Sequence, residues 1–211
     1  MRPDRGLAGV LVMGGENSRM GRPKGLVNIQ GEPLFIRTLR EMEKGCYERI
    51  IVTNTPWLYK PLLAEPVSMI SDVYPGKGPL SGFHVVMHGS PSEFFWMVGC
   101  DMPFVSWEAG LLLWKKLLAS RCKLAVPCLS GQIEPLHGIY HRSCLSGIER
   151  LLESGAQSGL IRWIRKESAL FLKEADFNEA GIPLGFTDSF NTPDEFDRLM
   201  NSTGLRPSGG A

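Results

Sequence analysis

Neither sign of charge dominates this chain: 23 Lys and Arg stand against 22 Asp and Glu, a formal charge of +1 over 211 residues. Without an excess of either sign there is no general field for nucleic acid or an anionic membrane, so neither is expected as a partner and any phosphate binding must be local. Long apolar runs are missing too. The stretch Phe94 to Val98 near the middle falls far short of the ~20 residues a membrane span requires. Cysteine is sparse, with five residues at 46, 100, 122, 128 and 144. An odd number without Cys-x-x-Cys argues against both a disulfide framework and a zinc site. The opening Met1-Arg2-Pro3-Asp4-Arg5 carries no apolar leader, and the expectation is a cytoplasmic protein. What remains, at 43% hydrophobic residues, suits one well-buried core. We expect a single domain over residues 1–200, followed by a flexible, small and polar tail at 201–211.

The richest segment is Gly9-Val10-Leu11-Val12-Met13-Gly14-Gly15-Glu16-Asn17-Ser18-Arg19-Met20-Gly21-Arg22-Pro23-Lys24-Gly25. An apolar strand, Leu7 to Met13, ends in a glycine-rich loop carrying Arg19 and Lys24. Glycines at 14, 15 and 21 let backbone approach a ligand closely, and free N–H groups with two cations make a polyphosphate cradle. The spacing matches neither the P-loop, which needs Gly-Lys-Ser/Thr, nor Gly-x-Gly-x-x-Gly. The plain alternative is a solvated surface loop.

Downstream, strands and helices alternate. A helix from Leu34 to Gly45 precedes a strand at Arg49 to Thr53. Met69 to Ser71 is a short strand, Leu80 to His88 a helix, Phe94 to Val98 a strand, and Ser106 to Ala119 a helix. Such alternation predicts a parallel, doubly wound sheet with ligands beyond the carboxyl ends of its strands. Lys123 to Cys128 and Pro135 to Tyr140 read as strands joined around Ser130-Gly131, an antiparallel edge element. Helices follow at Ser143 to Glu153 and Leu160 to Lys166, then a strand at Leu170 to Leu172 and a helix opened by Asn191-Thr192-Pro193-Asp194-Glu195.

Asp101, in Gly99-Cys100-Asp101-Met102-Pro103, falls at a strand's carboxyl end, where one carboxylate suffices for a Mg²⁺ ion that keeps its waters and substrate phosphates. Capping of the helix near Ser106 is the alternative. Ser71-Asp72-Val73-Tyr74-Pro75-Gly76-Lys77-Gly78-Pro79-Leu80-Ser81-Gly82 is a second glycine-rich turn. Asn54 ends another strand, and its amide offers a guanine edge both donor and acceptor, or else closes an Asx turn. Thr192, Pro193 and Glu195 have the pattern of a capping box, which alone accounts for Asn191-Thr192-Pro193. His137 receives no role. The five tryptophans and Met13 read as core, and the cysteines as small hydrophobes.

Together, Gly-Gly-x-x-Ser-Arg-Met-Gly-x-Pro-Lys and Cys-Asp-Met-Pro resemble the nucleotidyltransferases of the MobA type, the molybdenum cofactor guanylyltransferases. The likeness spans about residues 7 to 200. It implies an α/β fold, a Rossmann-like three-layer sandwich with a mostly parallel sheet, and GMP transfer from GTP to the terminal phosphate of molybdopterin with release of pyrophosphate. It further implies Mg²⁺ on Asp101, catalytic roles for Lys24, Arg19 and Asp101, and a binding set of Val12, Met13, Gly14, Gly15, Lys24, Asn54, Asp72, Gly78, Gly82, Asp101 and Asn191. In this likeness Asp72 lies near the nucleoside, Gly78 to Gly82 pass over the ligand, and Asn191 faces the acceptor. Molybdoenzymes or their chaperones are the partners it implies downstream. Three positions depart from the family pattern: Met13 stands where a small residue is usual, Ser189 replaces an asparagine, and Gln157 replaces a basic residue. The rivals are a cytidylyltransferase, or another nucleotidyltransferase with a different phosphorylated acceptor, and a non-catalytic nucleotide or cofactor carrier. The first typically shows Ala-Gly at Gly14-Gly15 and lacks the Gly-Pro-Leu stretch.

Overall fold

β1 (Leu7–Val12) is buried along its whole length, as a strand at the centre of a sheet covered on both faces must be. Its side chains alternate, Leu7 and Leu11 entering one apolar cluster and Ala8, Val10 and Val12 the other. The computed structural model describes residues 6–13, 20–74, 78–154 and 159–204. A hairpin of β2 (Asn28–Ile29) and β3 (Glu32–Pro33) comes next. It turns through Gln30 and Gly31, both at positive φ as a two-residue primed turn requires. Then come α1 (Leu34–Glu43), β4 (Glu48–Val52), α2 (Pro56–Tyr59), β5 (Ser68–Ile70), α3 (Pro79–Gly89) and β6 (Phe94–Gly99). The second half holds α4 (Trp107–Leu118), β7 (Leu124–Leu129), β8 (Gln132–Ile133), β9 (His137–His141), α5 (Leu145–Glu153), α6 (Leu160–Ile164), β10 (Ala169–Leu172), α7 (Glu174–Glu179) and α8 (Pro193–Thr203).

The sheet order is β10-β7-β9-β6-β1-β4-β5, with β8 paired to β7. β1 runs parallel to β4 and β6, β4 to β5, and β7 to β10, while β9 is antiparallel to β6 and β7. Phe35, Leu39 and Met42 of α1, Leu113 of α4 and Phe177 of α7 cover one face. Phe83 and Val86 of α3, Ile148 of α5 and Ile164 of α6 cover the other. This is the expected three-layer α/β sandwich. The chain leaves β1 for β4 and β5, then crosses back to β6 on its other side, so the switch point lies at the carboxyl end of β1. A third apolar cluster of Met20, Val27, Ile29, Leu34, Phe190, Phe196 and Met200 clamps the hairpin and the start of α1 to α8.

Two expectations need correction. The antiparallel element is interior, not an edge: β9 pairs on both sides and its first four residues are fully enclosed. β10 takes the edge beyond β7, and Ser130-Gly131, both at positive φ, closes the short β7–β8 hairpin. Among the tryptophans, Trp57 is 66% exposed, because α2 lies outside the sheet next to its β5 edge and buries Tyr59 instead. All five cysteines are free, as expected. α8 runs to Thr203 and stops at Gly204 in the left-handed conformation, so its last turn takes in the first residues of the polar stretch read as tail.

Candidate active site

Lys24 opens a 3₁₀ turn, Lys24–Leu26, held by Leu26 N–H on Pro23 O at 3.0 Å and Val27 N–H on Lys24 O at 3.1 Å. Its ammonium donates to Asp101 Oδ2 at 3.1 Å and to Asn191 Oδ1 at 2.8 Å. Residues that stand 77 and 167 positions from Lys24 thus meet at one cation. The Lys24 side chain is 11% exposed and that of Asp101 26%. A charge this enclosed needs both acceptors, and charge-assisted bonds are the stronger kind.

Each partner is fixed by its local sequence. Asp101 follows β6, its carbonyl accepting Phe190 N–H at 3.1 Å. It does not cap α4. Ser106 does, its hydroxyl accepting Ala109 N–H at 3.2 Å. Thr192 Oγ1 accepts Glu195 N–H at 3.2 Å, half of the expected capping box. The other half is shifted by one residue, for Glu195 Oε2 accepts the N–H of Asn191 at 2.6 Å. The cap of α8 therefore also holds the backbone of Asn191 next to Lys24.

A Cβ built on Gly99 would lie 2.8 Å from Asp101 Oδ1, so the carboxylate folds over the bare Cα of this glycine. Oδ2 is engaged by Lys24 while Oδ1 rests in that cradle. This suits one hard cation on one carboxylate oxygen, with water and phosphate oxygens completing its shell. Among the described residues no group of three or more His, Cys, Asp or Glu is placed to hold a metal ion.

A second polar cluster gathers at the ends of β4 and β5. Asn54 Oδ1 accepts Asp72 N–H at 2.8 Å, and Asp72 Oδ1 accepts Tyr74 N–H at 2.8 Å together with the hydroxyl of Ser81. Asn54, Asp72 and α3 are thereby joined. Gly78 caps α3 with φ +60° and ψ −148°, a conformation side chains resist. Gly82 faces the sheet, where a Cβ would meet Val12 Cγ1 at 3.3 Å and Val52 Cγ1 at 3.6 Å. Val12 O accepts Cys100 N–H at 3.2 Å and Met13 N–H donates to Val52 O at 2.9 Å, which binds the end of β1 to both neighbours. Met13 is 9% exposed with its side chain in the core, as expected. Gly14, Gly15, Arg19 and Gln157 lie outside the described residues; Ser189 is exposed.

Burial pushes the Cys100 thiol up to about 12, so it is no nucleophile at neutral pH. His137 is fully buried and held near 3 by desolvation, a neutral core ring whose Nε2 accepts Ser106 N–H at 3.4 Å. Glu134, which belongs to none of the sequence motifs, lies at the same end of the sheet. Its Oε1 accepts Leu136 N–H at 2.7 Å, and Leu136 O accepts Gly99 N–H at 3.3 Å. Burial lifts the Glu134 carboxyl to about 7; the Leu136 N–H opposes this and the Asp101 charge adds to it. A folded-state pKa above the ordinary carboxylate value of 4.5 means that the native protein binds this proton more tightly than the unfolded chain. Stability from this group is full below pH 4.5 and is lost as pH rises through about 7. Urea unfolding at pH 5 and pH 8 should show Glu134→Gln gaining on the wild type at pH 8 by roughly 2 kcal/mol. Equal pH slopes for the two proteins would overturn this.

The MobA-like NTP transferase domain model matches residues 9–170. A protein of Geobacillus sp. (strain WCH70) named as a probable molybdenum cofactor guanylyltransferase is 34% identical over 201 residues, 92% of this chain and 98% of that relative. One of Peptoclostridium acidaminophilum with the same name is 32% identical over 200 residues, 92% of this chain and 88% of the relative. Among solved structures, molybdopterin-guanine dinucleotide biosynthesis protein A of Archaeoglobus fulgidus superposes with a TM-score of 0.78 at 22% identity, covering 93% of this chain and 98% of that one. At that identity the likeness speaks for the fold.

Proposed function

The chain belongs to the MobA-like NTP transferase family, and from that premise we propose that it transfers GMP from GTP to the terminal phosphate of molybdopterin. The observation that carries this reading is the meeting of Lys24, Asp101 and Asn191 at the carboxyl end of the central strands. An acceptor phosphate oxygen attacks the α-phosphorus of GTP, the bond to the β-phosphate oxygen breaks, and pyrophosphate leaves with the electron pair. No protein nucleophile is required. Lys24, with Arg19 and the amides of Gly14 and Gly15, holds the triphosphate, while Asn54 and Asp72 stand on the nucleoside side. Asn191 faces the acceptor beside Lys24. Asp101 is the residue that would hold Mg²⁺, which when bound neutralises charge on the phosphates. The chain's own contribution is therefore positioning and electrostatics. Molybdoenzymes or their chaperones would receive the product. Among the described residues no helix is long and apolar enough to cross a membrane; the cytoplasm is the proposed site of action.

A site that hydrogen-bonds a guanine edge leaves its groups unpaired with the wrong base. GTP with Mg²⁺ near 100 times its Kd should thus raise the melting temperature by roughly 5 °C or more, since binding to the folded state alone adds about 2.7 kcal/mol. CTP and ATP should do far less, and EDTA should weaken the GTP effect. Equal shifts for the three nucleotides would exclude the guanylyl reading in favour of a broader or cytidylyl enzyme. GTP binding without pyrophosphate release on adding acceptor would point to a carrier.

A further inference from the structure

Gly25 directly follows Lys24, and a Cβ on it would lie 2.3 Å from Met13 Cε, 3.4 Å from Met13 Sδ and 3.5 Å from Phe35 Cβ. Its φ is not in the left-handed region. The dihedral would accept a side chain, and what a Cβ meets first is the end of the Met13 thioether, which fills that space. Met13 is nearly enclosed, its backbone is tied to Val52, and Phe35 of α1 closes the far side with an atom that cannot swing away. A large residue at 13 matched by none at 25 is a complementary pair beneath the turn that presents Lys24.

We infer that Met13 is a positioning residue for Lys24: its side chain wedges under Gly25 and sets the Lys24–Leu26 turn at the height from which the ammonium reaches both Asp101 and Asn191. This rests on the functional reading above for its effect on turnover, but not for the packing itself. With Met13 in place, a side chain at 25 lifts the turn. With Met13 trimmed, the same side chain has room.

The test uses wild type, Met13→Ala, Gly25→Ala and the double variant, each with and without Lys24→Ala. Melting temperature and GTP-dependent pyrophosphate release are measured on all eight. Gly25→Ala should lower the melting temperature and reduce turnover roughly tenfold, in line with the cost of a small misplacement. Adding Met13→Ala should restore turnover to within about threefold of the wild type, a coupling expected only of residues in contact. In the Lys24→Ala background the pair should still couple in melting temperature, while its coupling in turnover disappears. Additive losses, or a Gly25→Ala protein like the wild type in both measurements, overturn the inference. A turnover loss that persists without Lys24 shows a merely structural effect and overturns the positioning role. If the wild type releases no pyrophosphate while the melting temperatures couple, the guanylyl reading fails and the packing pair stands.

Discussion

Lys24→Ala should lower turnover by about 10²–10³-fold, the cost of removing one preorganised electrostatic donor from a transition state that gains charge. The ammonium is set in place before substrate arrives, bonded to Asp101 Oδ2 and Asn191 Oδ1 and mostly enclosed. Alanine leaves the Asp101 carboxylate and the Asn191 amide without the cation they share. Asp101→Asn keeps the shape of the side chain but removes its charge, and should fall by a similar factor that saturating Mg²⁺ does not recover. The two residues share one contact, so the double variant should be little worse than either single one. Stability should change by no more than about 1–2 kcal/mol, because neither side chain builds an apolar cluster. Steady-state pyrophosphate release and urea unfolding check both halves. Wild-type turnover in either variant would remove that residue from the site.

The sheet was legible because its strands are short apolar runs, two of them ending in a polar residue or glycine at the functional end, as at Thr53 after β4 and Gly99 of β6. Helix α4, expected over Ser106 to Ala119, runs Trp107–Leu118 with those two residues as its caps, and Glu108, Lys115 and Lys116 match its dipole. Long-range order was not. Periodicity marks Pro135 to Tyr140 as a strand, yet whether it lies at an edge depends on β10, some thirty residues later, coming to rest beyond β7. Trp57 misled because its hydrophobicity carries no record of the side on which α2 would lie. In the site, motif spacing singled out Lys24, Asp101 and Asn191 separately, but their convergence depends on the third apolar cluster clamping α8 to the hairpin. The Glu195 bond to the Asn191 backbone escaped notice because a capping box pattern predicts the bond one residue later. Glu134 was hidden for the same kind of reason: what raises its pKa is burial and a neighbour more than thirty residues away.

The largest expected loss of stability comes from a residue that no motif marks. Arg142 follows β9, and its guanidinium donates to three backbone carbonyls, Met87 O, Ser90 O and Ser92 O, the last from Nε at 3.0 Å. It lies 5.5 Å from the centre of the Phe95 ring. Met87, Ser90 and Ser92 are buried, and the hydroxyls of both serines bond to Glu48 Oε1, so the segment joining α3 to β6 has its polar groups satisfied from two sides. Arg142→Met keeps the length of the side chain and removes all of its donors, leaving carbonyls unpaired away from water. Each such group costs about 1–3 kcal/mol, so a loss of roughly 3–5 kcal/mol and about 10 °C in melting temperature is expected. Arg142→Lys should recover only a small part, because one ammonium cannot meet three divergent carbonyls as a planar fork does. The contact lies at the Phe94 end of β6, Arg142 N–H bonding Glu93 O at 2.7 Å, whereas Asp101 follows the opposite end. Turnover measured well below the melting temperature should therefore match the wild type. A melting temperature within 2 °C of the wild type for Arg142→Met would mean that water replaces the guanidinium at these carbonyls, and the arginine would be a surface residue in energetic terms.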